Sequence, residues 1–193
     1  MSTEPSPITV TRDDVLAART CLGGKVRRTP VMRIEADQLS DRHPAFWLKL
    51  ESLQVTGAFK ARGAPNSLLS SEIPAAGVVA ASGGNHGQAV AWAARLLGVP
   101  AAIYVPTTCP PIKLQRLADY GAQVTVVGDV YDQSLGRAER CSADTGARLI
   151  HPFDQLLTIA GAGTVAAEFI EQAPGLDSVL VCPCARILWD CSG

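Results

Sequence analysis

The sequence predicts an α/β protein in which a parallel sheet is covered by helices on both faces. From about residue 77, short apolar runs alternate with segments whose apolar residues recur at helical spacing, and the connections between them are short. Glycine or proline also stands at several segment ends. This alternation is typical of βαβ units, in which right-handed crossovers join parallel strands. Ligands of such sheets bind beyond the carboxyl ends of the strands, so functional residues are expected there.

The individual elements follow from local patterns. Gly98 and Gly121 are suited to end helices, and prolines 110 and 111 suit the first turn of one. The predicted strands are 77–82, 99–106, 122–128, 147–153 and 177–182, and the predicted helices are 85–98, 110–121, 131–146 and 162–173. Residues 1–55 are less periodic, and they predict a helix around 11–22, a turn at 28–30 and a strand over 45–51.

Composition excludes several classes of function. The 193 residues carry a net charge of -1, with 47% hydrophobic and 18% charged residues, which is an ordinary globular composition without a basic surface for nucleic acid or anionic membranes. No run approaches the ~18 apolar residues of a membrane span. The first 14 residues lack a secretory pattern. We therefore expect a cytoplasmic protein whose single cysteines 21, 109 and 141 are small buried side chains.

The segment Ser82 to Gly87, "SGGNHG", joins a predicted strand to a predicted helix. Its glycines allow a ligand to approach the backbone closely, and the helix start offers unpaired N–H groups to a carboxylate or phosphate. Asn85 is suited to be the N-cap of that helix. The alternative is an ordinary tight turn that binds nothing.

Lys60 is one of only four lysines, and it lies in "TGAFKARGA" (56–64), beside Phe59 and small residues that leave room for a flat group. A partly desolvated lysine can form an imine with a carbonyl, and pyridoxal phosphate is the cofactor that uses this chemistry. The alternative is a solvated lysine on a helix.

Together these motifs closely resemble the serine/threonine dehydratases. The resemblance reaches Val181 and is carried by "ESLQVTGAFKARGA" (51–64) and "ASGGNHGQAVAWAARLLG" (81–98), with further agreement in "RRTPV" (27–31), "VPTTCPPIKLQRLADYGAQV" (105–124), "HPFD" (151–154) and "IAGAGTVAAEF" (159–169). It implies the architecture of the fold-type-II pyridoxal-phosphate enzymes, which is that of the tryptophan synthase β chain. The implied reaction converts L-threonine or L-serine to a 2-oxo acid and ammonia.

The resemblance also implies a role for each site residue. Lys60 would carry pyridoxal 5′-phosphate as an imine and, once the substrate amine displaces it, remove the α-proton. Phe59 would pack against the cofactor ring, and Asn85 would hydrogen-bond its phenolic oxygen. The substrate carboxylate would be held by Ser82, Gly83, Gly84 and His86. No metal is implied, and the full-length enzyme is expected to be a homo-oligomer.

Gly83 favours elimination over racemisation. Serine racemases usually carry a serine at this position, whose hydroxyl works on the opposite face of the cofactor ring, and glycine has no side chain to deliver a proton. Serine racemase and threonine synthase stay open as alternatives, as does a non-catalytic remnant that binds no cofactor. A nicotinamide site at 161–166, which matches G-x-G-x-x-A, is a weak alternative because no convincing strand leads into it. His151 is expected to be structural.

Residues 182–193, "CPCARILWDCSG", depart from the family pattern, in which a glycine run that cradles the cofactor phosphate follows the preceding strand. We expect a large-domain part at 1–76 and 153–181 that is incomplete, a small domain at 77–152 and a divergent tail at 182–193. The tail can be a thiol-metal site of Cys182, Cys184 and Cys191, which is a weak match to zinc spacing, or a genuine alternative ending. It can also be out-of-frame sequence, because a shift of one base is compatible with Val-Pro-Val-x-Gly-x-x-Gly-Ile-Ala. Without the glycine run, cofactor binding is expected to be weak.

Overall fold

The computed structural model describes residues 9–39 and 44–181. Its centre is a four-stranded parallel sheet in the order β5-β4-β3-β6. The strands are β3 (Val78–Ala81), β4 (Ala101–Val105), β5 (Gln123–Val126) and β6 (Arg148–Leu149). The parallel sheet predicted from the alternating pattern is therefore confirmed.

Helices cover both faces of this sheet, as predicted. They are α3 (Asn85–Leu97), α4 (Pro111–Asp119) and α5 (Tyr131–Thr145). Alternate residues of β3 point to opposite faces: Val78 and Ala80 pack with Val90 of α3 and Leu117 of α4, whereas Val79 and Ala81 pack on the other side with α5. All four residues of β3 are buried because it lies inside the sheet between two helical layers.

The remaining elements lie outside the parallel sheet. They are α1 (Arg12–Leu22), the antiparallel pair β1 (Val31–Ile34) and β2 (Phe46–Lys49), a 3-10 turn at Glu51–Leu53, α2 (Lys60–Leu69) and α6 (Leu156–Gln172). A capping box of Thr11 and Asp14 begins α1. None of the helices in the described ranges is both long and apolar enough to cross a membrane.

Helix α2 is missing from the sequence prediction, and α6 begins at Leu156 instead of 162. Gly63 and Pro65 lower the helical signal of α2, yet Gly63 is required because a Cβ there would lie 2.6 Å from the carbonyl oxygen of Thr158. Gly161 of α6 is the counterpart, since its Cβ would lie 2.5 Å from the carbonyl oxygen of Arg62. The glycine pattern at 161–166 thus lies inside a helix that packs against another helix, so the dinucleotide interpretation is wrong.

Two strand predictions are also corrected. The predicted strand 147–153 is reduced to Arg148–Leu149, because β6 pairs only with β3 and the chain turns at His151 and Pro152. Residues 177–181 of the last predicted strand form no strand, since no strand among the described residues lies beside them. Cys21, Cys109 and Cys141 are free thiols that are half-buried rather than buried.

Candidate functional site

Lys60 is the first residue of α2, and the chain reaches it through a turn at Gly57, whose φ of +78° suits glycine. The side chain is half-buried. Its Nζ donates a hydrogen bond of 2.6 Å to the carbonyl oxygen of Pro152 and lies 5.0 Å from the ring centroid of Phe59. The amine is therefore directed to the chain segment that follows β6, at the carboxyl edge of the parallel sheet.

The glycine turn follows β3 at the same edge of the sheet. The hydroxyl of Ser82 accepts a 3.1 Å hydrogen bond from the N–H of Gly84, which is the N-cap of α3. A Cβ on Gly87 would collide with the carbonyl oxygen of Ser82, so glycine is needed for the strand to pass directly into the helix. The first N–H groups of this 13-residue helix form a positive end that suits an anion.

Asn85 is not the N-cap that the sequence suggested. Gly84 takes that position, and Asn85 is the first residue of α3 with an exposed side chain. The difference arises because the hydroxyl of Ser82 already accepts the N–H of Gly84, which leaves the carboxamide of Asn85 outside the capping role.

His86 is 4% exposed and turned into the protein. Its Nε2 lies 2.9 Å from the carbonyl oxygen of Ile150 and therefore carries the proton and donates it. Burial, to which the charge of Lys60 adds, lowers the pKa of His86 to about 4. A neutral imidazole gives no charge to a substrate carboxylate, so this residue can bind an anion only through its backbone N–H.

The segment 150–152 links the two sequence motifs. Its carbonyl oxygens accept hydrogen bonds from His86 at one end and from Lys60 at the other. Between them, the Nδ1 of His151 accepts the backbone N–H of Asp154 at 3.0 Å, and burial lowers the pKa of this imidazole. His151 thus shapes the turn that holds both carbonyl groups in place.

Two features of the site were missed by sequence reasoning. A Cβ on Gly83 would collide with the Sγ of Cys109, so the thiol fills the space of a side chain at position 83. Burial raises the pKa of the Cys109 thiol, although Lys113 opposes this, and the thiol is therefore neutral near pH 7. The second feature is the hydroxyl of Thr56, which is buried and has no hydrogen-bond partner among the described residues. Neither feature has a local sequence signal, because each depends on a contact or on burial in the folded chain.

Phe59 precedes α2 and is half-buried. Lys60, Phe59 and the glycine turn are thus described at one edge of the sheet. Within residues 9–39 and 44–181, no group of three or more histidine, cysteine or acidic side chains could hold a metal ion. The suggested thiol-metal site at Cys182, Cys184 and Cys191 lies outside the described residues, as does the whole tail 182–193.

Comparison with known proteins places this arrangement in a family. A family model described as "Pyridoxal-phosphate dependent enzyme" matches residues 23–186. An L-threonine ammonia-lyase of Geobacter sulfurreducens is 41% identical over 160 residues, which cover 81% of this chain and 39% of that protein. Two solved structures are also similar. A maize serine racemase has a TM-score of 0.79 and 36% identity over 87% of this chain and 51% of its own.

The second solved structure, a bacterial-strain threonine deaminase labelled T.th., has a TM-score of 0.76 and 39% identity over 84% of this chain and 51% of its own. The chain spans between about two fifths and one half of the length of these proteins.

Proposed function

Because this chain belongs to the family of pyridoxal-phosphate dependent enzymes, we propose that it contributes the cofactor lysine of an ammonia-lyase. That enzyme converts L-threonine or L-serine to a 2-oxo acid and ammonia. The names of the threonine ammonia-lyase and threonine deaminase relatives support this reaction. The observation that carries the proposal is the pair of hydrogen bonds by which Lys60 and His86 hold one segment, 150–152, at the carboxyl edge of the sheet.

The described residues fit the cofactor. Glycine at positions 83 and 84 leaves the backbone of the turn open, and the amine of Lys60 is half-buried rather than extended into solvent. Lys60 would hold pyridoxal phosphate covalently, with Phe59 beside its ring and the exposed carboxamide of Asn85 hydrogen-bonded to its phenolic oxygen. When bound, the cofactor supplies an electron sink for negative charge at the substrate α-carbon.

The chain itself binds the substrate and moves the proton. The N–H groups at the start of α3 bind the substrate carboxylate, with Ser82 and Gly83 to His86 forming the surrounding loop. The amine of Lys60 then accepts the α-proton, since its position at the edge of the sheet brings it to the α-carbon side of such a substrate. His86 stays neutral, so it neither competes for that proton nor adds a charge to the carboxylate site.

Serine racemase is the second candidate, because a maize serine racemase is among the similar structures. Gly83 favours elimination, since it has no hydroxyl, and the space where a side chain would project is filled by the thiol of Cys109. The raised pKa of that thiol means that it gives no thiolate base near neutral pH.

We also propose the division into a small domain at 77–152 and a large-domain part at 1–76 and 153–181. All four strands of the parallel sheet fall within the first range, and α1, α2, α6 and the β1-β2 pair fall within the second, which supports this division. A cytoplasmic location and a homo-oligomeric full-length enzyme stay predictions from the sequence.

The proposal is tested by trapping the cofactor on the chain. Purified protein is incubated with pyridoxal phosphate, reduced with borohydride and digested, and the peptides are measured by mass spectrometry. We expect one pyridoxyl group, on the peptide that carries Lys60, and none at that position in Lys60→Ala. Labelling that is spread equally over Lys25 and Lys113 would contradict a cofactor site.

Product analysis separates the candidate reactions. The chain is given L-threonine or L-serine with the cofactor, and 2-oxo acids and D-serine are measured by chromatography. A 2-oxo acid that is absent with Lys60→Ala supports the ammonia-lyase, whereas D-serine as the main product supports racemisation. Trapped cofactor without either product leaves only a cofactor-binding chain, and the ammonia-lyase proposal for residues 1–193 is then wrong. The DNA sequence around codon 182 tests the out-of-frame interpretation of the tail.

A further inference from the structure

Four charged side chains form a cluster beneath the first turn of α2. We call it the buried ion cluster; its members are Lys49, Glu51, Arg62 and Glu168. Arg62 is 1% exposed and Lys49 is 5% exposed, while the two carboxylates are 14% and 11% exposed. The cluster joins four elements, because its members come from β2, the 3-10 turn, α2 and α6. Its charges balance, with two cations and two anions.

The guanidinium of Arg62 is held on two sides. Its Nε and Nη2 each donate at 2.8 Å to the two carboxylate oxygens of Glu51. Its Nη1 and Nη2 donate at 3.0 and 3.2 Å to Glu168, and Nη2 also lies 3.3 Å from the carbonyl oxygen of Arg27. Burial alone would lower the pKa of Arg62, but the hydrogen bonds from both carboxylates outweigh it and raise the pKa.

Lys49 completes the cluster from the other side of Glu168. Its Nζ donates to that carboxylate, and at 2.7 Å each to the carbonyl oxygen of Thr29 and the side-chain oxygen of Gln172. The hydroxyl of Thr29 in turn donates to Glu51 at 2.6 Å. All three N–H groups of the ammonium therefore have acceptors, which is the condition under which buried charges are tolerated.

Stability alone is a weak reason for such a cluster. Removing charges from water costs about as much as their attraction returns, and apolar side chains of similar volume often stabilise a protein equally well. What a doubly bidentate arginine adds is a fixed orientation, because its planar fork matches two carboxylates in only one geometry. The orientation that is fixed here is that of the first turn of α2, in which Arg62 lies two residues after Lys60.

The contact between α2 and α6 removes the remaining freedom of that turn. Gly161 leaves no room for a Cβ against the carbonyl oxygen of Arg62, and Gly63 leaves none against Thr158. Asn66 adds a 2.8 Å hydrogen bond from its amide to the carbonyl oxygen of Leu157. Helix α2 can neither roll nor slide on α6 without breaking the cluster or forcing backbone atoms together.

We propose that the buried ion cluster is a positioning device for Lys60. Arg62, Glu51, Glu168 and Lys49 orient the first turn of α2 so that the amine of Lys60 stays at Pro152 and faces the turn 82–87. These four are positioning residues, because none of them contacts the amine in the hydrogen bonds described above. The inference rests on the proposed function, in which Lys60 carries the cofactor.

The test measures the reactivity of the Lys60 amine in the folded protein. Formaldehyde and cyanoborohydride methylate lysines, and mass spectrometry gives the ratio of modification at Lys60 to that at Lys113, which is exposed on α4. The variants are Arg62→Lys, which keeps the charge but loses the fork, and Glu168→Gln. The control is Glu171→Gln, the same substitution in the same helix at an exposed ion pair with Arg19.

In the wild type we expect Lys60 to react several times more slowly than Lys113, because it is half-buried and bonded to Pro152. Both cluster variants should raise the ratio about threefold or more as the first turn of α2 loosens. They should also weaken the trapping of pyridoxal phosphate at Lys60 by about tenfold. Glu171→Gln should leave both measurements unchanged.

Cluster variants that unfold at lower urea but keep the wild-type ratio and the wild-type trapping while folded would overturn the inference, since the cluster would then serve stability alone. If Arg62→Lys and Glu168→Gln do not fold, Glu51→Gln at the more exposed end carries the same test, with an expected change of about twofold. A wild type that takes no cofactor at Lys60 sinks the proposed function, whereas the methylation ratio still decides whether the cluster positions the amine.

Discussion

His86 donates a hydrogen bond from its Nε2 to the carbonyl oxygen of Ile150, 2.9 Å away, from a fully buried position. Because burial holds the pKa of this imidazole at about 4, it remains neutral in the folded protein over a pH range in which an unfolded histidine is protonated. The unfolded chain therefore binds one proton more than the folded chain between about pH 6.5 and 4. The stability that depends on neutral His86 is complete above this range and is lost as the pH falls through it.

Replacing this imidazole should flatten the dependence of stability on pH. In His86→Gln the carboxamide N–H can still donate to Ile150, but the side chain no longer titrates. We expect the wild type to lose roughly 3 kcal/mol between pH 6.5 and 4 through this group, and the variant to lose less by about that amount. Urea unfolding at several pH values measures the difference. A variant whose stability falls as steeply as that of the wild type would contradict the buried neutral imidazole.

The glycine turn can be tested by adding a single methyl group. Gly87→Ala would bring a Cβ against the carbonyl oxygen of Ser82, so backbone atoms must shift, and we expect a loss of about 2–4 kcal/mol in the free energy of unfolding. Gly136→Ala is the matched control, because a Cβ at this position of α5 meets nothing within 4 Å. Helix propensity should there raise the stability by about 0.5–1 kcal/mol. Equal effects of the two substitutions in urea unfolding would show that the turn is not as tight as described.

The glycines illustrate how far the sequence predicts the site. Gly83, Gly84 and Gly87 carry a clear pattern, since only glycine allows a strand to pass so directly into a helix, and the lysine in its small-residue context is equally visible. Gly63 and Gly161 have the same physical role, a close approach of backbones, but the approach is to a distant helix. Their pattern therefore hides a helix in one case and imitates a dinucleotide motif in the other.

Backbone atoms are the other reason why part of the site could not be predicted. The carbonyl oxygens of Ile150 and Pro152 receive His86 and Lys60, and every residue has such an oxygen, so no residue type marks these positions. The strand predicted over 177–182 fails for a related reason. A strand requires a neighbour, and Val179 to Val181 are exposed where the described residues provide none beside them.

Gly83 and Cys109 should behave as a coupled pair. Gly83→Ala alone forces its methyl group against the Sγ of Cys109, at an expected loss of about 1–3 kcal/mol. Cys109→Ala removes the obstacle, so the double variant should be more stable than the sum of the two single effects predicts, by about 1 kcal/mol. Urea unfolding of the four proteins in the cycle measures this coupling. Strictly additive effects would mean that the thiol does not occupy the space beside position 83.

The buried hydroxyl of Thr56 offers a stability test in the loop that leads to Lys60. It has no hydrogen-bond partner among the described residues, so Thr56→Val exchanges an unsatisfied hydroxyl for a methyl group of similar size. We expect the free energy of unfolding to stay the same or to rise by about 1 kcal/mol. Thr29→Val is the matched control, because the equally buried hydroxyl of Thr29 donates to Glu51 at 2.6 Å. Its loss removes a bond to a charged acceptor and should cost about 1–3 kcal/mol in urea unfolding. If Thr56→Val is as destabilising as Thr29→Val, the Thr56 hydroxyl has a partner in solution, and the loop before Lys60 differs from its description here.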